Sequence, residues 1–178
     1  MSALLAIEAE LDRSRQALLA AAERVNDDLF PVRPSAEEWS VAEILHHLEI
    51  VENRIADRVA QGIAAARQSG WAADAYDPEV VHSMDRFQIE RVITPIQTRN
   101  PPEAGHSREE LFTGLRASRE KLLGVIRGGT DVSWSKIVAP HPALGELNLY
   151  QWLMFVARHE DRHRAQLERA HSRLVAGP

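Results

Sequence analysis

The sequence predicts an all-α protein, a four-helix bundle. Three observations carry that expectation. Four stretches place apolar residues at alternating steps of three and four, the signature of one buried helix face. Two of them begin with a capping box. No segment shows convincing strand alternation with turn punctuation, Ser133–Val138 coming nearest.

The first helix spans about Ser2 to Asn26, with a stripe of Leu4, Ile7, Leu11, Ser14, Leu18, Ala21 and Val25. The Pro31–Pro34 segment breaks it. In the second, Ser40 is followed three residues on by Glu43, and Trp39 stands where a hydrophobic staple would pack on Ile44. Its stripe runs Val41, Ile44, Leu48, Val51, Ile55 and Val59 and fades by Gly70. The first two helices, joined by a short link, are expected to be antiparallel neighbours. The third opens on Ser107 with Glu110, buries Leu111, Leu115, Ser118, Leu122 and Val125, and ends at Gly128-Gly129. The fourth is capped by Asn148 and carries Leu149, Trp152, Val156, His159, His163, Leu167 and Ala170. Between helices two and three, Gly70–His106 holds Pro78, Pro95, Pro101 and Pro102. So long a structureless loop is improbable, and a short helix near Val80–Glu90 with a crossover along the bundle is expected. No internal repeat and no linker are apparent, so residues 1–178 are read as a single domain.

The chain has 178 residues, 44% hydrophobic and 26% charged, with a net charge of −5. That balance fits a globular protein and lacks the basic footprint of a nucleic-acid binder. There is no cysteine, which excludes disulfides, thiolate metal ligands and a protein thiol nucleophile. No apolar run is long enough to cross a membrane, and Met1–Arg15 does not read as a secretory signal. A cytoplasmic location is the expectation.

Two of the eight histidines sit where core residues belong. His159 and His163 are one turn apart on the buried stripe of the fourth helix, so their rings can share a metal ion. A third ligand must come from another helix, with His46 and His47 as candidates. His47 borders the buried stripe and His46 points further out. If helices two and four run antiparallel, His47 and His163 fall within about a turn, at about 1.5 Å per residue. Three neutral imidazoles leave a coordination position open, the layout of a catalytic rather than a closed structural site. Gln166 and Glu160 are candidates to orient the rings. The plainer alternative is a pair of core histidines, with Glu160 and Gln166 on a solvated or salt-bridged face.

Two other motifs compete. His159-Glu160-Asp161-Arg162-His163 matches the zinc-peptidase pattern, but its extended form needs Gly at 166 and His at 169, where Gln and Arg stand. Glu43 with His46 and Glu160 with His163 satisfy half of a di-iron carboxylate pattern. The inward stripes of helices one and three carry no Glu, and Glu43 is better explained as a cap.

Trp39–Leu48, His141-Pro142-Ala143-Leu144-Gly145 and His159–Leu167 together resemble the DinB-like (DinB/YfiT) family of metalloenzymes, in order and spacing. The resemblance spans nearly the whole chain. It implies an up-down-down-up four-helix bundle, which the long crossover also requires. It implies a divalent metal, usually zinc or nickel, held by His47, His159 and His163, and a homodimer. It points to thiol-dependent transferases and isomerases acting on small molecules. With no cysteine in the chain, a low-molecular-weight thiol would come from outside.

His141 is read as a turn residue entering helix four. His82, His106 and His171 lie outside any stripe and are read as solvated. Trp71, Tyr76 and Phe87 are read as packing the crossover onto the bundle, and Trp134 and Trp152 as core. Three functions follow: a metal-dependent transferase, isomerase or hydrolase; a non-enzymatic metal- or ligand-binding stress protein; and a metal-free structural bundle. A di-iron carboxylate protein is a further alternative.

Overall fold

The structure is a computed structural model that describes residues 3–75, 79 and 105–176. Within them lie four long helices: α1 (Ala3–Glu23), α2 (Val41–Gln68), α3 (Arg108–Gly128) and α4 (Leu149–Ala176). The short helix expected near Val80–Glu90, and His82, Tyr76 and Phe87, fall outside the described residues.

The helix starts follow the capping chemistry. Ser40 accepts from the Glu43 amide while the Glu43 carboxylate accepts from the Ser40 amide, and Ser107 with Glu110 repeats the exchange. Arg33 pairs with the same Glu43 carboxylate. At α4 the reciprocal pair is Asn148 with Gln151, each side-chain oxygen 3.0 Å from the other's amide nitrogen.

Contacts between the helices fix their directions. Glu10 and Arg13 on α1 reach Arg158 and Asp161 on α4, so these helices run parallel. Glu52 on α2 meets Ser118 on α3 and Arg67 meets Asp131 just past its end, so this pair is parallel too. Arg58 on α2 lies over Trp152 on α4 while His47 meets His159, so α2 and α4 are antiparallel. The course is up-down-down-up, and a bundle with parallel α2 and α3 needs the crossover between them. One expectation changes. α1 runs antiparallel to α2 but lies along α4, and α2 lies along α3 and α4. The link 24–40 is long enough to cross the bundle end rather than turn directly into a neighbour.

Among the described residues, the all-helical pattern is broken by a small hairpin, β1 (Val138–His141) with β2 (Gly145–Asn148), and by an isolated bridge between Ala72 and Val132. The hairpin loop returns through Gly145 at φ 78°, a left-handed conformation that suits glycine after a three-residue turn. Of Ser133–Val138, the nearest strand candidate by sequence, only Val138 enters a strand, and 134–136 form a bend. The Asp74 carboxylate gathers the Ser133 and Ser135 hydroxyls and the amides of Trp134 and Ser135. Burial pushes that carboxyl up, but these donors outweigh it and hold it below its ordinary value.

The apolar core divides into two blocks. One holds Ile7, Leu11, Ile55, Leu122, Ile126, Trp134 and Trp152. The other holds Leu18, Leu45, Leu48, Leu111, Leu115 and Leu167. Between them lies a charged layer of Arg15, Glu52, Arg119 and Glu160, one residue from each helix and each 7% exposed or less. Arg15 donates through Nε to Glu160 at 2.7 Å and through Nη2 to Glu52 at 2.6 Å. Arg119 donates through Nε to Glu52 at 2.6 Å and through Nη2 to Glu160 at 3.0 Å. The Ser14 hydroxyl donates to Glu160 and that of Ser118 to Glu52. Arg15 also donates to the Leu115 carbonyl, and Arg119 to that of Leu11.

These contacts expose a repeat that the sequence reading does not register. Leu11-x-x-Ser14-Arg15-x-x-Leu18 on α1 and Leu115-x-x-Ser118-Arg119-x-x-Leu122 on α3 make the same bonds, exchanged. The layer therefore has approximate two-fold symmetry, which relates α1 to α3 and α2 to α4.

Candidate metal centre

His47 projects from the second turn of α2, and His159 and His163 from the middle of α4. Because α2 and α4 run antiparallel, the three rings meet at their interface. One nitrogen from each lies within 4.8 Å of the others. His159 Nε2 is 3.1 Å from His163 Nε2 and 3.4 Å from His47 Nε2. Ligand nitrogens about 2.0–2.1 Å from a tetrahedral ion stand about 3.3–3.4 Å apart, so these separations match edges of such a site.

The protonation states also suit a cation. Burial holds His47 down to about 4, with Arg54 and Arg162 adding to the effect. Burial, His47 and Arg162 hold His163 down to about 3, against a small opposing pull from Gln166. His159 is pushed well below its ordinary value by burial first and the neighbouring rings next. All three imidazoles are therefore neutral near pH 7, the form that binds metal. His163 Nδ1 lies 2.9 Å from Gln166 Oε1, an acceptor, so the ring proton sits on Nδ1 and the Nε2 lone pair faces the cluster. Three ring nitrogens share one small space with few protons between them, and a cation satisfies them together.

Aromatic rings wall the cluster. Trp39 stacks parallel to His163 at 6.2 Å and lies 5.0 Å from His47. Phe155 stacks on His159 at 5.0 Å. His163 is 7% exposed, whereas His47 and His159 are half-buried.

Other candidates are placed elsewhere. His46 turns away to meet His106, ring centroids 4.2 Å apart. His141 stays outside the cluster, with Phe155 between it and His159. Its Nδ1 accepts from the Ala143 and Leu144 amides at 3.2 Å, the turn role expected of it. His106 is exposed but has His46 as a neighbour, and His171 is half-buried. Trp134 and Trp152 are core, and Trp71 packs against it. Glu160 neither orients an imidazole nor binds beside one, because its carboxylate belongs to the charged layer. Glu43 is held by its cap and Arg33. The di-iron arrangement therefore does not form among the described residues. Trp39 and Phe155 were not assigned to the site from sequence. Phe155 is one turn before His159, which is the signal that could have found it.

Residues 10–167 match the DinB superfamily model. The chain is 26% identical over 145 residues to the uncharacterised Bacillus subtilis (strain 168) protein YuaE, covering 81% of this chain and 84% of that one. The crystal structure of TT2238, a four-helix bundle protein, superposes with a TM-score of 0.60 at 21% identity, over 93% of this chain and 98% of that one.

Proposed function

Because the chain belongs to the DinB superfamily, we propose that it is a divalent-metal-dependent enzyme acting on a small molecule, its ion held by His47, His159 and His163. The single observation that carries this reading is three neutral imidazole nitrogens converging at one point, with no fourth protein ligand among the described residues. A three-ligand set leaves a coordination position open, which a closed structural site does not. When bound, zinc or nickel would lower the pKa of a water or thiol and polarise a substrate carbonyl.

The chain's own residues bind, orient and shield. Gln166 fixes the His163 tautomer. Trp39 and Phe155 supply an apolar floor and exclude bulk water on two sides. Arg54 and Arg162 place positive charge near the imidazoles. That field disfavours ring protonation and favours an anionic ligand such as a thiolate or carboxylate. Since no cysteine is available, a nucleophilic thiol comes from a low-molecular-weight cofactor. Thiol transfer or isomerisation is the reaction class this set serves best, and metal-assisted hydrolysis is next.

The reading extends to a single domain over residues 1–178, a cytoplasmic homodimer, and no nucleic-acid or membrane partner. No helix among the described residues is long and apolar enough to cross a membrane. Light scattering at micromolar concentration tests the dimer, and a monomer would remove it.

The first test is metal content by plasma mass spectrometry, on protein purified without a nickel column. We expect about one zinc or nickel per chain, lost in His47→Ala, His159→Ala and His163→Ala. Wild-type protein that takes up no zinc, nickel or iron would overturn the reading. A panel of external thiols with electrophiles, and of esters, then separates transfer from hydrolysis. Metal binding without turnover on any of them would favour a non-enzymatic metal-binding protein.

A further inference from the structure

We propose that the buried layer of Arg15, Glu52, Arg119 and Glu160 is a positioning device for the histidine cluster. It locks α2 against α4 in the one register that brings His47 to His159 and His163. The inference rests on the metal reading above, but its geometry stands apart from it.

The layer's place in the chain is the first argument. Glu160 lies between His159 and His163 on α4, and Glu52 lies about a turn and a half beyond His47 on α2. The two helices that supply the imidazoles are the two that supply the carboxylates. Directionality is the second. The flanking contacts of α2 and α4 near the cluster are Leu45, Leu48 and Leu167, and apolar burial is non-directional. Sliding one helix by a single residue moves its side chains by about 1.5 Å, whereas metal geometry tolerates about 0.5 Å. Directional bonds add to packing a register that a slide would break outright. Each guanidinium bridges both carboxylates, and each carboxylate also takes a serine hydroxyl from α1 or α3.

The third argument comes from the approximate two-fold. Counted from Glu52 and Glu160, the positions equivalent to His47, His159 and His163 are Phe155, Val51 and Ile55. All three are apolar. The layer is symmetric and the histidines are not: the two-fold exchanges α2 with α4, so one half of their shared interface carries the cluster and its equivalent half is apolar. A buried ion network is also weak evidence for stability, since well-packed apolar residues often replace one without loss. Fixing a register is the best-attested use of such groups.

The test replaces all four residues together: Arg15→Met, Glu52→Leu, Arg119→Met and Glu160→Leu. The quartet carries no net charge, so its removal leaves the local charge unchanged. We expect a folded protein of similar Tm, with the Co(II) dissociation constant, read from its absorption bands, raised about tenfold or more. A lower Tm with an unchanged constant is what a merely structural layer gives, and it would overturn the proposal. Should the quartet variant not fold, the Ser14→Ala/Ser118→Ala pair loosens the layer while keeping its charges. The same direction of change is expected there, and an unchanged constant would again overturn it. Metal-free crystals of wild type and variant supply a second readout, the 3.4 Å separation of His47 Nε2 from His159 Nε2. Widening in the variant supports the lock and no change overturns it. If wild type binds no metal, the functional reading falls while this separation still decides the lock.

Discussion

Gln166 is a half-buried amide with one consequential bond, the contact to His163 Nδ1. Replacing it by Leu frees that ring to present either nitrogen. We expect a metal affinity about tenfold weaker with little change in Tm, by competition with a chromophoric chelator. Equal affinity would show that packing against Trp39 alone orients the ring. The imidazoles also make stability depend on pH. An unfolded histidine titrates near about 6.5, whereas native His47 titrates at about 4 and His163 at about 3. Between those values the unfolded chain binds protons that the native chain does not. This contribution is therefore whole above about pH 6.5 and is lost as pH falls to the native values. The slope is about 1.4 kcal/mol per pH unit per histidine. Metal-free wild type should lose Tm steadily from pH 7 to 4.5, and a His47→Leu/His163→Leu variant should lose less. A flat wild-type profile would contradict the burial that holds the rings neutral. At this scale the histidine cluster was legible, because polar residues on an apolar stripe are conspicuous. Arg15 and Arg119 were not, because a long cation beside a stripe reads as solvent-facing until its partners on other helices are placed.

The helices were legible at their N-termini because Ser40 and Ser107 sit three residues before Glu43 and Glu110, a local chemistry that needs no tertiary context. Ser107→Ala should lower stability by about 1 kcal/mol, read by urea denaturation, since the Glu110 amide loses its acceptor. The hairpin was not legible. Four-residue strands are too short for alternation to stand out, and Pro140 interrupts the pattern. Its register depends on Gly145 at φ 78°. Gly145→Ala should cost about 1 kcal/mol or more. It should also disturb His141, which packs on Phe155 and so borders the cluster. A variant as stable as wild type would show that the loop adopts another turn.

For the whole molecule, the up-down-down-up course was legible through the family resemblance, and the long crossover after α2 agrees with it. The pairing of α1 with α4 rather than α2 was not, because link length limits a chain's reach without choosing its neighbour. The charged layer joins all four helices, so its members are expected to behave as one unit. Removing Arg119 alone strands buried carboxylates and should cost about 3–5 kcal/mol. Removing the quartet together should cost far less. Non-additivity of that sign, measured by chemical denaturation, is the signature of a closed network. Additive losses would mean that the four charges act separately.

That layer also constrains how such a chain changes over generations. Each of its residues is exchangeable only in company, because any single step passes through a protein with an unpaired charge in its interior. Drift one codon at a time is opposed there, while the loss of one neutral histidine strands no charge. Descendants of this chain would therefore shed the histidine cluster long before they shed the scaffold.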